Sequence, residues 1–159
     1  PEDAPSIAFH ANDFLVSLYL RPVFPFPYLL KDAEDFIHHV SFADSDKVFA
    51  IIVNGAAVGC AGLHSFDIEN GRTVYELGYW LGRIFWRRGI ATEVVRCLTH
   101  YSFTELNAAK VVASVYSHNA ASVKVLERCG FERVSVQSGI RLRDNSETEE
   151  WFYIFFRSL

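Results

Sequence analysis

Methionine is absent from the 159 residues and cysteine is scarce, with Cys60, Cys97 and Cys129 far apart and no C-x-x-C pair. This spacing excludes a disulfide framework and a zinc knuckle, and the three thiols are expected as reduced core residues. No run of about 18 apolar residues occurs, and the chain does not open with a basic stretch leading into an apolar one. The expectation is a cytoplasmic protein with neither a membrane span nor a membrane partner. Positive charge is in deficit: 15 Lys and Arg against 19 Asp and Glu leave a net charge of −4. That argues against nucleic-acid partners, because neutralising phosphates needs a basic face. The phosphate-binding patterns G-x-x-x-x-G-K-S/T and G-x-G-x-x-G are both missing, which rules out a Walker loop and a dinucleotide fingerprint. Repeats and low-complexity segments are lacking, and disorder is expected only at the ends and in the polar run "RDNSETEE" at 143–150. The missing initiator suggests a processed or incompletely recorded chain, to which a first strand before Pro1 could belong.

What is present is an apolar core: half of the chain is hydrophobic, with 14 Phe, 7 Tyr and 3 Trp, enough for one domain across residues 1–159. The opening 20 residues show broken helical spacing through Ile7, Phe14, Leu15, Leu18 and Leu20, predicting one or two short helices. Three prolines in "RPVFPFPY" (21–28) force an irregular loop. "LLKDAEDFIHHVSF" returns to helical spacing through Ala33, Phe36, Ile37 and Val40. From Lys47 the period becomes that of strands. Asn54-Gly55 and Asn70-Gly71, pairs that tolerate the positive φ of tight turns, divide "KVFAIIV", "AAVGCAGL" and "RTVYELGYWLG" into an antiparallel meander. Ile90, Val94, Leu98 and Tyr101 then share a helical face up to about Leu106. "AKVVASVY" (109–116) reads as a strand, and strand, helix and strand in this order make a right-handed crossover with parallel strands. The sheet is therefore mixed. "NAASVKVLERCGF" is a short helix closed by Gly130 at C′, and "FERVSVQSGIRLR" with "EEWFYIFFRSL" forms a final hairpin.

The stretch "FWRRGIATEVV" (85–95) places two arginines and a glycine where a strand gives way to a helix. The leading N–H groups of a helix have no partner inside it, and the helix dipole adds partial positive charge there. Gly89 lets the backbone approach an anion closely, Ala91 adds little bulk, and Arg87 and Arg88 supply charge. The alternative is that Gly89 only relieves a tight turn and the arginines are solvated.

Joined to the downstream segment, the sequence resembles the GNAT acetyltransferase superfamily, and within it the RimJ/RimL-like branch, which acetylates amines from acetyl-coenzyme A. "ELGYWLGRIFWRRGIATE" is similar to that branch's "GYWL…W-G-K-G-x-A-T-E", "NAASVKVLERCGF" to its "N-x-x-S-x-x-V-x-x-K-x-G-F", and "FPFPYLLKDAEDFI" to its "P-x-P-Y-x-x-x-D-A-x-x-F". The superfamily pattern Q/R-x-x-G-x-G/A falls on residues 86–91, with Trp86 at its first position and Arg87 where glycine is common. The resemblance implies an α+β fold of GNAT type: three layers, with a central, mixed, mostly antiparallel sheet that contains a parallel, splayed strand pair and is flanked by helices. It implies acetyl-coenzyme A as cosubstrate and no metal. The N–H groups of Arg87, Arg88, Gly89, Ile90, Ala91 and Thr92 would hold the pyrophosphate. Main-chain groups at Trp80 and Leu81 would hold the pantetheine arm where that strand and the next part, and Asn119 would bond the pantetheine amides.

Acetyl transfer needs an unprotonated amine, stabilisation of the developing oxyanion and a donor to the departing thiolate. A free amine with a pKa of about 10 is mostly protonated at neutral pH, so a base is useful. Glu76 resembles the acid used as base in several members, and on alternation it shares a face with Gly78 and Trp80. A solvated strand glutamate paired with Arg72 or another cation is the competing account. Where many members carry a tyrosine acid this sequence has Leu126, and by resemblance Ser122 becomes the donor to sulfur. Asn119 is equally a good N-cap, and Ser122 an ordinary first-turn residue. Phe24, Phe26 and Tyr28 look like a wall of the acceptor site in this branch, or else a cover for the core. His38 and His39 read as solvated, and Cys129 as a small apolar filler rather than a nucleophile.

Three functions are in contention. One is an N-acetyltransferase that works by direct attack in a ternary complex, on a protein N-terminal amine or a small-molecule amine. A second is a non-catalytic acyl-coenzyme-A sensor, which Leu126 favours, and the third is an interaction module with an empty cradle. Phe152, Phe155 and Phe156 on the last strand would suit a homodimer interface or the core.

Overall fold

The computed structural model describes residues 1–42 and 45–156; positions 43–44 and the last three residues of the expected closing strand lie outside the described residues. Pro5 in the first turn suits the start of α1 (Ala4–Ala11). The Asp13 carboxylate accepts from the Leu15 N–H at 2.9 Å and caps α2 (Phe14–Leu18). The proline loop follows, and then α3 (Leu30–Ser41), whose first turn is braced by Asp32 accepting from the Leu29 N–H at 2.7 Å. β1 (Lys47–Val53), β2 (Ala56–Glu69) and β3 (Arg72–Leu81) form the expected meander. Both Asn-Gly pairs hold positive φ throughout, 51° and 80° at the first and 50° and 75° at the second, as two-residue hairpin turns demand. α4 (Ile90–Thr104) crosses to β4 (Lys110–Tyr116), and α5 (Ala120–Arg128) leads to the hairpin of β5 (Glu132–Arg141) and β6 (Glu147–Phe156).

The strands lie in the order β1-β2-β3-β4-β6-β5, with β3 and β4 parallel and every other pair antiparallel. This is the mixed α+β architecture expected from the sequence. The larger core joins Leu63, Leu77, Val111 and Tyr153 of the sheet to Val95 of α4 and Leu126 of α5. A smaller core on the opposite face packs Ile7, Ala11 and Ala33 of α1 and α3 over Ala57 and Cys60. Each buried Leu, Ile or Val among these contributes about 1.5–3 kcal/mol, so the two cores fix the three layers. No helix among the described residues is long and apolar enough to cross a membrane.

Two local expectations, for Cys97 and for the polar run, are corrected, and two others are refined. The buried face of α4 runs through Val95, Leu98, Thr99, Ser102 and Phe103, while Ile90, Val94 and Tyr101 are only partly buried on its flank; a helix lying across a sheet buries a wider arc than one stripe. Cys97 is exposed on the outer side of this helix, whereas Cys60 is buried and Cys129 half-buried. The polar run at 143–150 is ordered: Asp144 accepts from the N–H and hydroxyl of Ser146, and the Leu142 N–H closes on the Ser146 carbonyl at 2.9 Å. Phe155 stacks on Phe103 and Phe131 inside the molecule, leaving Phe156, 59% exposed, as the member of the aromatic trio most open to a partner.

Candidate functional site

β3 and β4 pair at only three positions, from Val74 opposite Lys110 to Glu76 opposite Val112. β4 then stays with β6 as far as Tyr116 opposite Glu150, so Leu77–Leu81 part from β4 and open a cleft toward the carboxyl ends. The turn beyond β3 is tied down from three sides. The Gly82 N–H bonds the Val58 carbonyl at 2.8 Å, Arg83 pairs with Asp13 at 2.7 Å, and the Trp86 indole donates to the Leu81 carbonyl at 2.7 Å. The Leu81 carbonyl expected to serve a ligand is therefore already engaged.

That turn delivers the start of α4. Arg87 at φ 61° and Gly89 at φ 79° are both left-handed, an alternation that gathers successive N–H groups on one side. Arg87 thus accepts a backbone conformation that glycine takes without penalty. A Cβ on Gly89 would meet nothing within 4 Å, so bare backbone faces open space. No side chain caps the helix, and the Glu93 N–H, bonded to the Gly89 carbonyl at 3.1 Å, closes its first turn. The N–H groups of Ile90, Ala91 and Thr92 are left pointing out of the helix end. Arg87 and Arg88 are exposed beside them, the Arg88 guanidinium 5.4 Å over the Phe85 ring. From here a groove of about 1080 Å³ follows α4 along β1, passing Thr92, Val94 and Phe49.

Alternation along β3 sends Tyr79 and Leu81 toward α4 and α5, and Glu76, Gly78 and Trp80 toward the α1 and α3 face. On the latter face Gly62 lies directly opposite Gly78, Cys60 opposite Trp80, and His64 opposite Glu76. A Cβ on Gly78 would also meet nothing within 4 Å, so a bare floor separates Trp80 from the Glu76 and His64 pair. Phe24 packs on Tyr28 at 4.9 Å and on Trp80 at 5.9 Å. Tyr28 is buried, its phenol pushed up to about 12 by desolvation first and by the neighbouring Cys60 and Asp32 after it. Phe26 stacks instead on Phe14 of α2 at 5.5 Å.

Glu76 forms an ion pair, with Arg21 of the proline loop rather than with Arg72. Sequence reasoning left His64 unplaced. Its Nδ1 lies 2.8 Å from Asp46 Oδ2, and Asp46 also accepts from the Ser65 N–H at 3.1 Å. The His64 Nε2 lies 3.1 Å from where a Gly62 Cβ would stand, and Val48 and the Lys47 carbonyl close the same space. No local sequence signal announces this pair: it depends on the shifted register by which Lys47 opposite Leu63 continues to Asp46 beside His64.

On the other face of the sheet, Asn119 caps α5 by accepting from the Ser122 N–H at 3.2 Å, which leaves its amide NH₂ for another acceptor. Leu126 is 2% exposed and belongs to the core. The Cys129 thiol donates to the Thr92 carbonyl at 3.6 Å, and burial raises its pKa, in keeping with a filler. The Tyr79 hydroxyl is sealed from solvent without a hydrogen-bond partner. Desolvation dominates there, pushing the phenol up to about 12 against a smaller lowering by Ser122.

The family model for the acetyltransferase (GNAT) domain matches residues 1–132. The uncharacterized N-acetyltransferase p20 of Bacillus licheniformis is 34% identical over 136 residues, covering 83% of this chain and 75% of p20. Shorter matches to Bacillus subtilis relatives span less than half of those proteins. Among solved structures, a GNAT-family acetyltransferase from Bacillus anthracis superposes with a TM-score of 0.81 at 22% identity, over 98% of this chain and 89% of that one. The microcin C7 self-immunity acetyltransferase MccE, in complex with acetyl-CoA and AMP, gives 0.81 at 17% identity, over 98% and 88%. At such identities the structural likeness speaks for the fold, and the sequence matches carry the family. The chain belongs to the GNAT acetyltransferase family.

Proposed function

We propose that this chain, as a RimJ/RimL-like member of its family, transfers an acetyl group from acetyl-coenzyme A to a primary amine by direct attack in a ternary complex. The acceptor is the N-terminal amine of a protein or an amine of a small molecule. The observation that carries the reading is the parting of β3 from β4 after Glu76, directly before a helix start whose leading N–H groups and Gly89 are bare. The residues present fit the coenzyme. Arg87, Arg88 and the N–H groups from Gly89 to Thr92 suit a pyrophosphate, and the free Asn119 amide and the main chain at Trp80 suit the pantetheine amides, the Leu81 carbonyl being taken by the Trp86 indole. The orphaned Tyr79 hydroxyl beside Ser122 marks a polar spot left for a ligand.

Acetyl-coenzyme A supplies the acetyl group as a thioester already activated for attack. The chain's own part is to seat the acceptor over Gly78, between the Phe24 and Trp80 rings and the Glu76 end. Glu76 removes the acceptor's proton once Arg21 is displaced, because the guanidinium occupies the carboxylate in the resting ion pair. His64, oriented by Asp46, offers Nε2 to the same proton path. The scheme needs no metal, nucleic acid or membrane and suits a cytoplasmic enzyme; it treats residues 1–159 as one domain, in which a strand added along the free edge of β1 would fill the groove beside α4.

The test is calorimetric titration of acetyl-coenzyme A into the wild type and Gly89→Glu. Binding to the first that is lost in the second supports the reading, and a folded wild type that binds no coenzyme overturns it.

A further inference from the structure

The ion pair between Arg21 and Glu76 joins the proline loop to the face of β3 that carries Gly78 and Trp80. The Glu76 side chain is 19% exposed and that of Arg21 59%, so the carboxylate is held at the sheet while the guanidinium reaches it from the solvent side. The Arg21 backbone is anchored: its carbonyl accepts from the Phe24 N–H at 2.9 Å, and Phe24 packs in turn on Tyr28 and Trp80. The guanidinium can therefore swing about a fixed Cα without moving the loop. An ion pair this open to water adds little to stability, so an exchange of partners is cheap. The pair also sets a condition on the acceptor, because Glu76 cannot receive an ammonium group while Arg21 occupies it. A simple amine or a polyamine brings a further cation beside Arg21 and gives the guanidinium no anion in exchange. An acceptor that carries a carboxylate next to its amine satisfies both residues at once.

We propose that the acceptor is a free α-amino acid and that Arg21 is the specificity-determining residue that reads its carboxylate. This rests on the acetyl-transfer reading above. The amino acid enters between Arg21 and Glu76, its ammonium donating to the Glu76 carboxylate and its own carboxylate accepting from the fork of the Arg21 guanidinium. One ion pair opens and two form. The contact between Arg21 and Glu76 restricts the class, since an α-amino acid holds its two charged groups on one carbon, whereas an ω-amino acid holds them too far apart to meet both side chains. Gly78, about 7 Å along β3 from Glu76, has open space above it and Trp80 and Phe24 beyond it, so a large apolar side chain fits there. In the transfer Glu76 takes one proton from the ammonium and passes it to water. The freed nitrogen bonds to the acetyl carbon, the carbon–sulfur bond breaks with its electron pair going to sulfur, and a second proton from nitrogen ends on the thiolate. An N-acetyl amino acid, coenzyme A and one proton result. The amide nitrogen of the product is neutral and no longer holds Glu76, so Arg21 returns to the carboxylate and the product leaves.

The experiment follows thiol release from acetyl-coenzyme A with L-phenylalanine and L-leucine, with their amides, with spermidine and with a short peptide whose carboxyl end is amidated. The amide is a demanding control, because its amine, with a pKa of about 8 like that of a peptide N-terminus, loses its proton more readily than the amine of the acid. In the wild type kcat/KM for the acids should exceed that for the amides by about 30-fold or more, the worth of a charge-assisted contact. Arg21→Gln should bring the two within about threefold of each other, chiefly by raising KM for the acids, while turnover of the amides holds or rises because Glu76 is now unoccupied. Arg21→Lys should restore part of the preference, since it returns the charge without the fork. A wild type that acetylates amides, spermidine or the peptide as well as the acids overturns the proposal and leaves acetyl transfer standing. So does an acid-to-amide ratio unchanged in Arg21→Gln, or an equal loss on both, which would make Arg21 a structural residue. A wild type from which none of these amines releases the thiol overturns both readings.

Discussion

Gly89→Glu and Gly89→Asn separate the charge at the start of α4 from its backbone geometry. Gly89 sits at φ 79° and ψ −9°, where a side chain costs about 1–2 kcal/mol, with Asn at the low end because it visits this region. A Cβ there meets nothing within 4 Å, so no clash is added. For a chain of this size about 1 kcal/mol moves Tm by roughly 2–4 °C, and both variants should melt within about 8 °C of the wild type. Affinity is a different matter. A carboxylate about 6 Å from one pyrophosphate charge, at an effective dielectric of about 40, is repelled by roughly 1.4 kcal/mol. Two such charges give about 3 kcal/mol, or about a hundredfold in Kd. Asn carries none of that repulsion. Calorimetry at matched salt should show acetyl-coenzyme A binding weakened about a hundredfold in Gly89→Glu and less than about tenfold in Gly89→Asn, with the Glu penalty shrinking as salt rises. Equal losses in the two variants would mean that backbone geometry, not charge, governs the site. No loss in Gly89→Glu would mean that the anion is not held at α4 at all.

Glu76→Gln should lower kcat about a hundredfold while acetyl-coenzyme A affinity stays within about twofold, as read by thiol release over a panel of amines; unchanged turnover would remove Glu76 from the proton path. Arg21→Ala should change stability by less than about 1 kcal/mol in chemical denaturation, because the guanidinium of this pair is 59% exposed and screened by solvent. A larger loss would make the pair structural. Asp46 is held below its ordinary 3.8: burial, the largest influence, pushes it up, but the hydrogen bonds from His64 and the Ser65 N–H together outweigh it. A carboxyl lowered on folding stabilises above its unfolded pKa and ceases to as pH falls through its folded value. Asp46→Asn should therefore melt below the wild type at pH 7, with the gap closing as pH falls through the lowered folded value of the carboxyl; parallel curves throughout the acid range would contradict the assignment.

What the sequence made legible was local chemistry. Asn54-Gly55 and Asn70-Gly71 announce turns because few other residues adopt two positive φ angles in succession. The start of α4 could be read one residue at a time, since an uncapped helix end with a glycine needs no distant partner to be what it is. Even there Arg87 departs from expectation, taking at φ 61° the conformation for which glycine is the usual choice. The proton-handling groups have no such local signature. Arg21 reaches Glu76 across 55 residues, and nothing in either neighbourhood announces the pairing. Strand alternation shows which way Tyr79 faces but not that its hydroxyl lacks a partner.

The Asp46 and His64 pair shows why this division is physical rather than accidental. Counted outward from the two-residue turn, with Val53 opposite Ala56 and Ile52 opposite Ala57, the register would set Asp46 across from Leu63, a residue of the core beneath α4. The register instead slips by one between Ile51 and Ile52, bringing Asp46 opposite His64 and onto the face that carries Glu76 and Gly78. A one-residue slip exchanges the faces of everything beyond it. A binding site made of backbone at one helix end survives such a slip, whereas a side-chain pair on adjacent strands exists only because of it.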